Sequence, residues 1–234
     1  MKTLSIIFEY KSLDVKKLNE FFFNWIRREN LLEDYYNIDG GVVQSADVEA
    51  YIFSNSQLRF RVNSNNFETR SGEIANHKIS FLDISTEIKL DWLDLILSLS
   101  VSGDLLFAYV SDKNYDYWQN AKDPAQYKNA GRPLPDLPLK SNGLPFPLEQ
   151  QIFDTSQNPG RFVHREGYIE AIGSPMWFSD KFWAMLGKQG PSFPVPGVEV
   201  RKLGGLTVLD AGSEGFDEHS SVEIQNLLRQ SIYG

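Results

Sequence analysis

Proline is absent from the first 123 residues, and all eleven prolines fall between Pro124 and Pro196. Proline fixes its own φ and has no amide proton to donate. The stretch 131–147, GRPLPDLPLKSNGLPFP, carries five of them and can form neither a helix nor a central strand. The chain therefore reads as an N-terminal lobe (1–121), a proline-rich connection (122–149) and a C-terminal lobe (150–234). Leu134, Leu137, Leu139, Leu144 and Phe146 make the connection too apolar for a free linker, so it is expected to pack along the surface of the fold. With 234 residues, 41% of them apolar, there is material for one large α+β domain whose lobes share a core.

Periodicity supplies the elements. Thr3–Tyr10 reads as a strand, and Asp14–Asn30 as a helix with Leu18, Phe21, Phe22, Trp25 and Ile26 on one face and Arg27 and Arg28 in its last turn. Gln57–Asn63 alternates, placing Leu58, Phe60 and Val62 opposite Arg59 and Arg61. Lys78–Leu90 and Asp104–Val110 have strand character, while Asp91–Val101 fits either a helix or a strand. In the C-terminal part, Gly167–Ile172 reads as a strand. Val198–Leu203 and Leu206–Asp210 flank Gly204-Gly205, a strong hairpin signal. A helix from about Glu218 to Gln230, burying Val222, Ile224, Leu227 and Leu228, closes the chain. The expected fold is α+β, with a mixed or mainly antiparallel sheet and packed helices.

The segment Gly173–Gly187, GSPMWFSDKFWAMLG, carries two of the five tryptophans and two phenylalanines. Ser179 is a natural N-cap and Gly187 a natural C′ residue, which punctuate a short helix at both ends. Phe182, Trp183 and Leu186 repeat at helical spacing, and Phe178 before the cap can staple onto Trp183. None of these side chains is a nucleophile, a general base or a metal ligand. They point to a packed structural signature in a protein that recognises rather than transforms.

The net charge of −8 argues against nucleic acid as the main partner, because phosphate binding wants a basic surface, and suits a basic protein instead. With no cysteine, disulfides, thiolate metal sites and cysteine nucleophiles are excluded. The start, MKTLSIIFEYKS, lacks the length and cleavage pattern of a secretory signal, and no segment approaches the roughly 20 apolar residues of a membrane span. A cytoplasmic protein without a membrane partner is expected; its oligomeric state is left open. His77, His164 and His219 are widely separated, and neither a zinc helix, a P-loop, a nucleophile elbow nor a dinucleotide fingerprint is present. No catalytic residue, cofactor or metal site is expected.

Two constellations carry alternatives. Asp83 with Glu87-Ile88-Lys89 has the residue types of a metal-dependent nuclease or hydrolase, in which two carboxylates hold a cation and the lysine positions water. Glu-x-Lys also arises on the wet face of any strand. The second is acidic and aromatic: DKNYDYWQN at 112–120 follows an apolar strand, and Glu33-Asp34-Tyr35-Tyr36 repeats the theme after the first helix. Tyrosines beside carboxylates suit contact with arginine or lysine, so Glu33, Tyr36, Asp112, Tyr115 and Asp116 are the candidate partner-binding residues. Tyr115 and Trp118, three apart, equally suit a helix anchored in the core, and the acids of these segments lack the spacing of an oxygen-ligand loop.

The segment GSPMWFSDKFWAMLG, the hairpin GGLTVLDAGSEGFD and the closing SSVEIQNLLRQ together resemble the Immunity protein 52 family of bacterial polymorphic toxin and type VI secretion systems, over residues 160–234. The resemblance implies a cytosolic antidote that binds and neutralises a toxin encoded beside it, with a nuclease of the restriction-endonuclease-like class as partner. It carries Gly173, Pro175, Trp177, Phe178, Phe182 and Trp183 as a fold signature and supplies no catalytic residue. The rival to both antidote and enzyme is a non-enzymatic scaffold or accessory protein.

Overall fold

The structure, a computed structural model, describes residues 1–12, 15–31, 33–38, 40–54, 60–101 and 104–234. β1 (Lys2–Glu9) leads into α1 (Val15–Arg28), then β2 (Tyr35–Ile38), β3 (Gly41–Gln44) and α2 (Ser45–Ser54). β4 (Phe60–Asn63), β5 (Phe67–Ile74), β6 (Ile79–Thr86), α3 (Leu93–Ser100) and β7 (Leu105–Asp112) follow. Next come α4 (Lys113–Asn120), α5 (Pro124–Asn129) and two small strand pairs, β8 (Leu139–Ser141) with β9 (Gln151–Phe153) and β10 (Val163–His164) with β11 (Ile169–Glu170). β12 (Met176–Ser179), α6 (Asp180–Met185), β13 (Glu199–Leu203), β14 (Leu206–Asp210) and α7 (Val222–Tyr233) complete the chain.

One ten-stranded sheet in the order β13-β14-β12-β7-β1-β6-β5-β4-β2-β3 organises all of this, and every pairing among the described residues is antiparallel. The fold is α+β. β7 and β12 join the two parts of the chain: Tyr109 faces Met176, Ala108 faces Trp177 and Phe107 faces Phe178. Because side chains alternate along a strand, each central strand feeds two cores. Leu4, Ile6 and Phe8 of β1 pack with Leu18, Phe22, Trp25 and Ile26 of α1 and with Leu95, Ile96 and Leu99 of α3. Ile7, on the opposite face, joins Phe107, Phe178, Phe182, Trp183 and Leu228 of α7. The leucine run at 93–99 is thus resolved as a helix, its apolar face closed against α1 through the Trp25–Trp92 ring stack at 5.5 Å.

The aromatic segment bridges the two cores. Trp177 of β12 enters the first, while Phe178, Phe182 and Trp183 enter the second. Ser179 Oγ caps α6 by accepting from Phe182 N, and the Phe178 ring meets Trp183 at 4.9 Å. Gly173 is held by close approach: a Cβ there would lie 2.3 Å from the Val110 carbonyl oxygen. Gly204 and Gly205, with φ of 56° and 83°, turn the β13–β14 hairpin as the primed turn requires.

Several expectations are corrected. The proline-rich connection does not lie flat on the fold. Tyr127 of α5, Leu137 and Phe153 anchor its ends with Ala121 and Trp118, but Leu134, Leu139, Leu144 and Leu148 are exposed and Phe146 is 90% exposed on the β8–β9 arm. Gly167–Ile172 contributes only the two strand residues Ile169–Glu170. The last helix starts at Val222, capped by Ser221, and Val222 itself is exposed. Asp14, Leu58 and Arg59 lie outside the described residues. Among those described, no helix is long and apolar enough to cross a membrane.

Candidate functional site

On the second face of the sheet, toward the β4 side, the alternating positions turn polar. Register aligns Arg70 of β5, Asp83 of β6, Ser5 of β1 and Tyr109 of β7 in one row. The next row is Glu68, Ser85, Thr3 and Ser111. In the direction of the second core, the flanking row is Gly72, Phe81, Ile7 and Phe107. The two polar rows floor a cavity of about 500 Å³, within the usual range for a site of recognition of roughly 300–1,000 Å³.

Its roof comes from α4 and from the segment carrying β10 and β11. α4 starts directly after β7 because Asp112 is its N-cap, accepting from Asn114 N and Tyr115 N at 3.0 Å each. Tyr115, buried, donates its hydroxyl to Gln225 Oε1 of α7 at 3.1 Å. At the far end, Asn120 Oδ1 accepts from Phe162 N at 2.7 Å, and Gln119 Oε1 accepts from Gly160 N at 3.0 Å. Arg229 of α7 is buried and donates to the carbonyls of Pro159 and Arg161, at 3.2 and 2.7 Å. Burial lowers its pKa to about 10. These bonds hold α4 and the 159–170 segment over the polar rows, with Asp116 and Asn120 of α4 and Phe162, His164 and Ile169 lining the cavity.

Charge inside is nearly balanced, save for one group. Arg70 Nε donates to Asp83 Oδ2 at 2.8 Å, with its guanidinium over the Phe81 ring. Lys113 and Arg61 both pair with Glu68, and these contacts, Lys113 first, pull the Glu68 pKa below the ordinary carboxylate value. Lys2 pairs with Asp112 at 3.4 Å. Among the described residues, no cation is paired with Asp116. Burial, reinforced by the negative charges of Asp112 and Asp83, raises its pKa to about 7. The Ser111 hydroxyl is near enough to favour the charged form but makes no well-formed hydrogen bond, so the loss of solvation dominates. Tyr109, deeply buried with Asp116 and Asp83 nearby, has its pKa pushed well up. His164 stacks on His77 at 5.0 Å, and burial first, then His77 and Lys122, lower its pKa, favouring the neutral ring.

The structure separates the sequence candidates. Asp116 lines the cavity. Tyr36 is 1% exposed in the first core, and its hydroxyl accepts from Glu33 N at 2.9 Å. Glu33 uses its carboxylate to accept from Asn65 N, Asn65 Nδ2 and Asn66 N. Asp112 and Tyr115 position α4, as described. Of the nuclease-like set, Asp83 is bound to Arg70, whereas Glu87 and Lys89 lie past the end of β6 and are exposed. Among the described residues, no group of three or more histidine, aspartate or glutamate side chains is placed to hold a metal ion. The His77–His164 stack has no local sequence signal, because 87 positions separate the two in the chain. Arg70 lies on β5, for which the sequence offers no strand signal of its own, and the polar Thr3 and Ser5 of β1 carry no local mark of a cavity floor.

No family model matches the chain, and no curated protein matches it in sequence. Among solved structures, it is similar to the Pseudomonas aeruginosa T6SS protein PA0821, with a TM-score of 0.54 and 13% sequence identity. The match covers 99% of this chain and 73% of that one, and at this identity the likeness is one of fold.

Proposed function

We propose that the chain is an immunity protein of a type VI secretion system, acting in the cytoplasm by binding its cognate toxin one to one and blocking it. The observation that carries the proposal is the likeness of fold to a T6SS protein over 99% of the chain. The aromatic and hairpin motifs of 160–234, which resemble Immunity protein 52, and the net charge of −8 support it. An acidic antidote meets a basic, nucleic-acid-cutting toxin with complementary potential, which speeds encounter and fixes orientation. On this proposal the protein catalyses nothing, and Asp83 serves the fold by neutralising Arg70.

Co-expression with the toxin encoded by the neighbouring gene tests it. Cells carrying the wild-type chain are expected to grow where toxin alone stops growth. Toxicity unchanged by a soluble, folded wild-type chain would overturn the proposal and leave a scaffold role standing.

A further inference from the structure

Among the described residues, the cations around the cavity are already engaged: Arg70 with Asp83, Lys113 with Glu68 and Lys2 with Asp112. His164, across the cavity, favours its neutral form. The cavity is therefore lined by three carboxylates, Glu68, Asp83 and Asp116, against two cations, Arg70 and Lys113. Arg61, outside the lining, pairs with Glu68 as well, and among the described residues Asp116 is the lining carboxylate that has no ion-pair partner. The walls have a different character. Ile7, Ile74, Phe81, Phe162 and Ile169 give the cavity an apolar lining around that single acid. A long side chain with an apolar stem and a positive tip matches such a lining, because the stem covers the apolar wall while the tip meets the carboxylate.

We infer that this cavity receives one cationic side chain, arginine or lysine, from the protein partner, with Asp116 as its counter-ion. The source of the side chain rests on the immunity proposal; the chemistry that the cavity accepts does not. Binding ionises Asp116 and releases a proton whenever the free site is protonated. The charged groups facing Asp116 set the balance: Asp112 and Lys113 on its own helix, Asp83 and Arg70 on the sheet floor, Lys2 and Glu68 at the β1–β5 end, and the neutral phenol of Tyr109 beneath. A positive tip is the addition that reverses the repulsion from Asp112 and Asp83.

The test uses N-acetyl-arginine amide as probe and its uncharged citrulline counterpart as control. The Asp116 carboxyl is followed by NMR through a pH titration of the whole chain. Saturating arginine probe is expected to lower the Asp116 midpoint by about one unit or more, equivalent to at least tenfold tighter binding by the ionised form. Asp116→Asn is expected to weaken the probe at least tenfold, and the wild-type midpoint needs no variant at all. Equal binding of citrulline, an unmoved midpoint, or binding of inorganic phosphate in place of arginine would overturn the inference. Probe binding without protection from the toxin would uphold the cavity and sink the immunity proposal; protection without probe binding would do the reverse.

Discussion

Asp116 holds its proton more tightly in the folded chain than in the unfolded one, with a pKa of about 7 against an ordinary 3.8. Below about pH 4 both states are protonated, and Asp116 contributes nothing to the pH dependence of stability. Between there and pH 7, the folded state keeps a proton that the unfolded state has lost. Stability therefore falls as pH rises through this window, and the full cost is present above it. Asp116→Asn keeps the shape of the side chain and removes its titration. The variant is expected to be more stable than wild type at pH 8, by up to about 4 kcal/mol, and to match it near pH 4. Urea unfolding of both proteins at the two pH values reads this difference, and identical pH slopes would contradict it. The residue's type was legible in the sequence and its setting was not. An aspartate one turn into a helix reads as solvated, and only the packing of 159–170 over α4 encloses it.

At the scale of elements, local chemistry predicts well where a stripe, a cap and a turn agree. The α1 stripe, the Ser179 cap of α6 and the Gly204-Gly205 hairpin appear where periodicity and turn chemistry put them. The connection fared differently. Its leucines imply burial, yet nothing in the composition of 131–147 says which surface would cover them, and Leu144 and Phe146 remain exposed. Thr3, Ser5, Asp83 and Ser85 mislead in the other direction. Polar alternation implies solvent, but α4 and β10–β11 roof the strands. Packing of the aromatic segment makes a quantitative claim. Trp183 is 1% exposed, touches the Phe178 and Phe182 rings, and donates Nε1–H to Thr207 Oγ1 at 3.1 Å. Trp183→Ala is expected to cost about 3–5 kcal/mol in chemical denaturation, from the cavity it leaves and the lost contacts. A midpoint equal to that of wild type would show that the segment is not part of the core.

Across the whole molecule, a single antiparallel sheet carries residues from both sides of the proline-rich connection, so the two lobes legible in the proline distribution share one set of hydrogen-bonded strands. The α+β class was readable from alternation and hairpin signals, but these left a mixed sheet as open as an antiparallel one, and every pairing among the described residues is antiparallel. The order of ten strands was not, because β1 pairs with β6 and β7 across about 70 to 110 positions, and such partners leave no local mark. The sheet also defines the recognition proposal, since its polar rows and the helix capped by Asp112 make the Asp116 cavity. The most direct measurement mixes the purified chain with the toxin encoded beside it, reading the mass of the complex by light scattering and the toxin's activity from the same samples. A one-to-one complex whose activity falls to zero at molar equivalence is the predicted result. Toxin that stays fully active, with both proteins eluting separately at micromolar concentrations, would contradict the claim that this chain is its antidote.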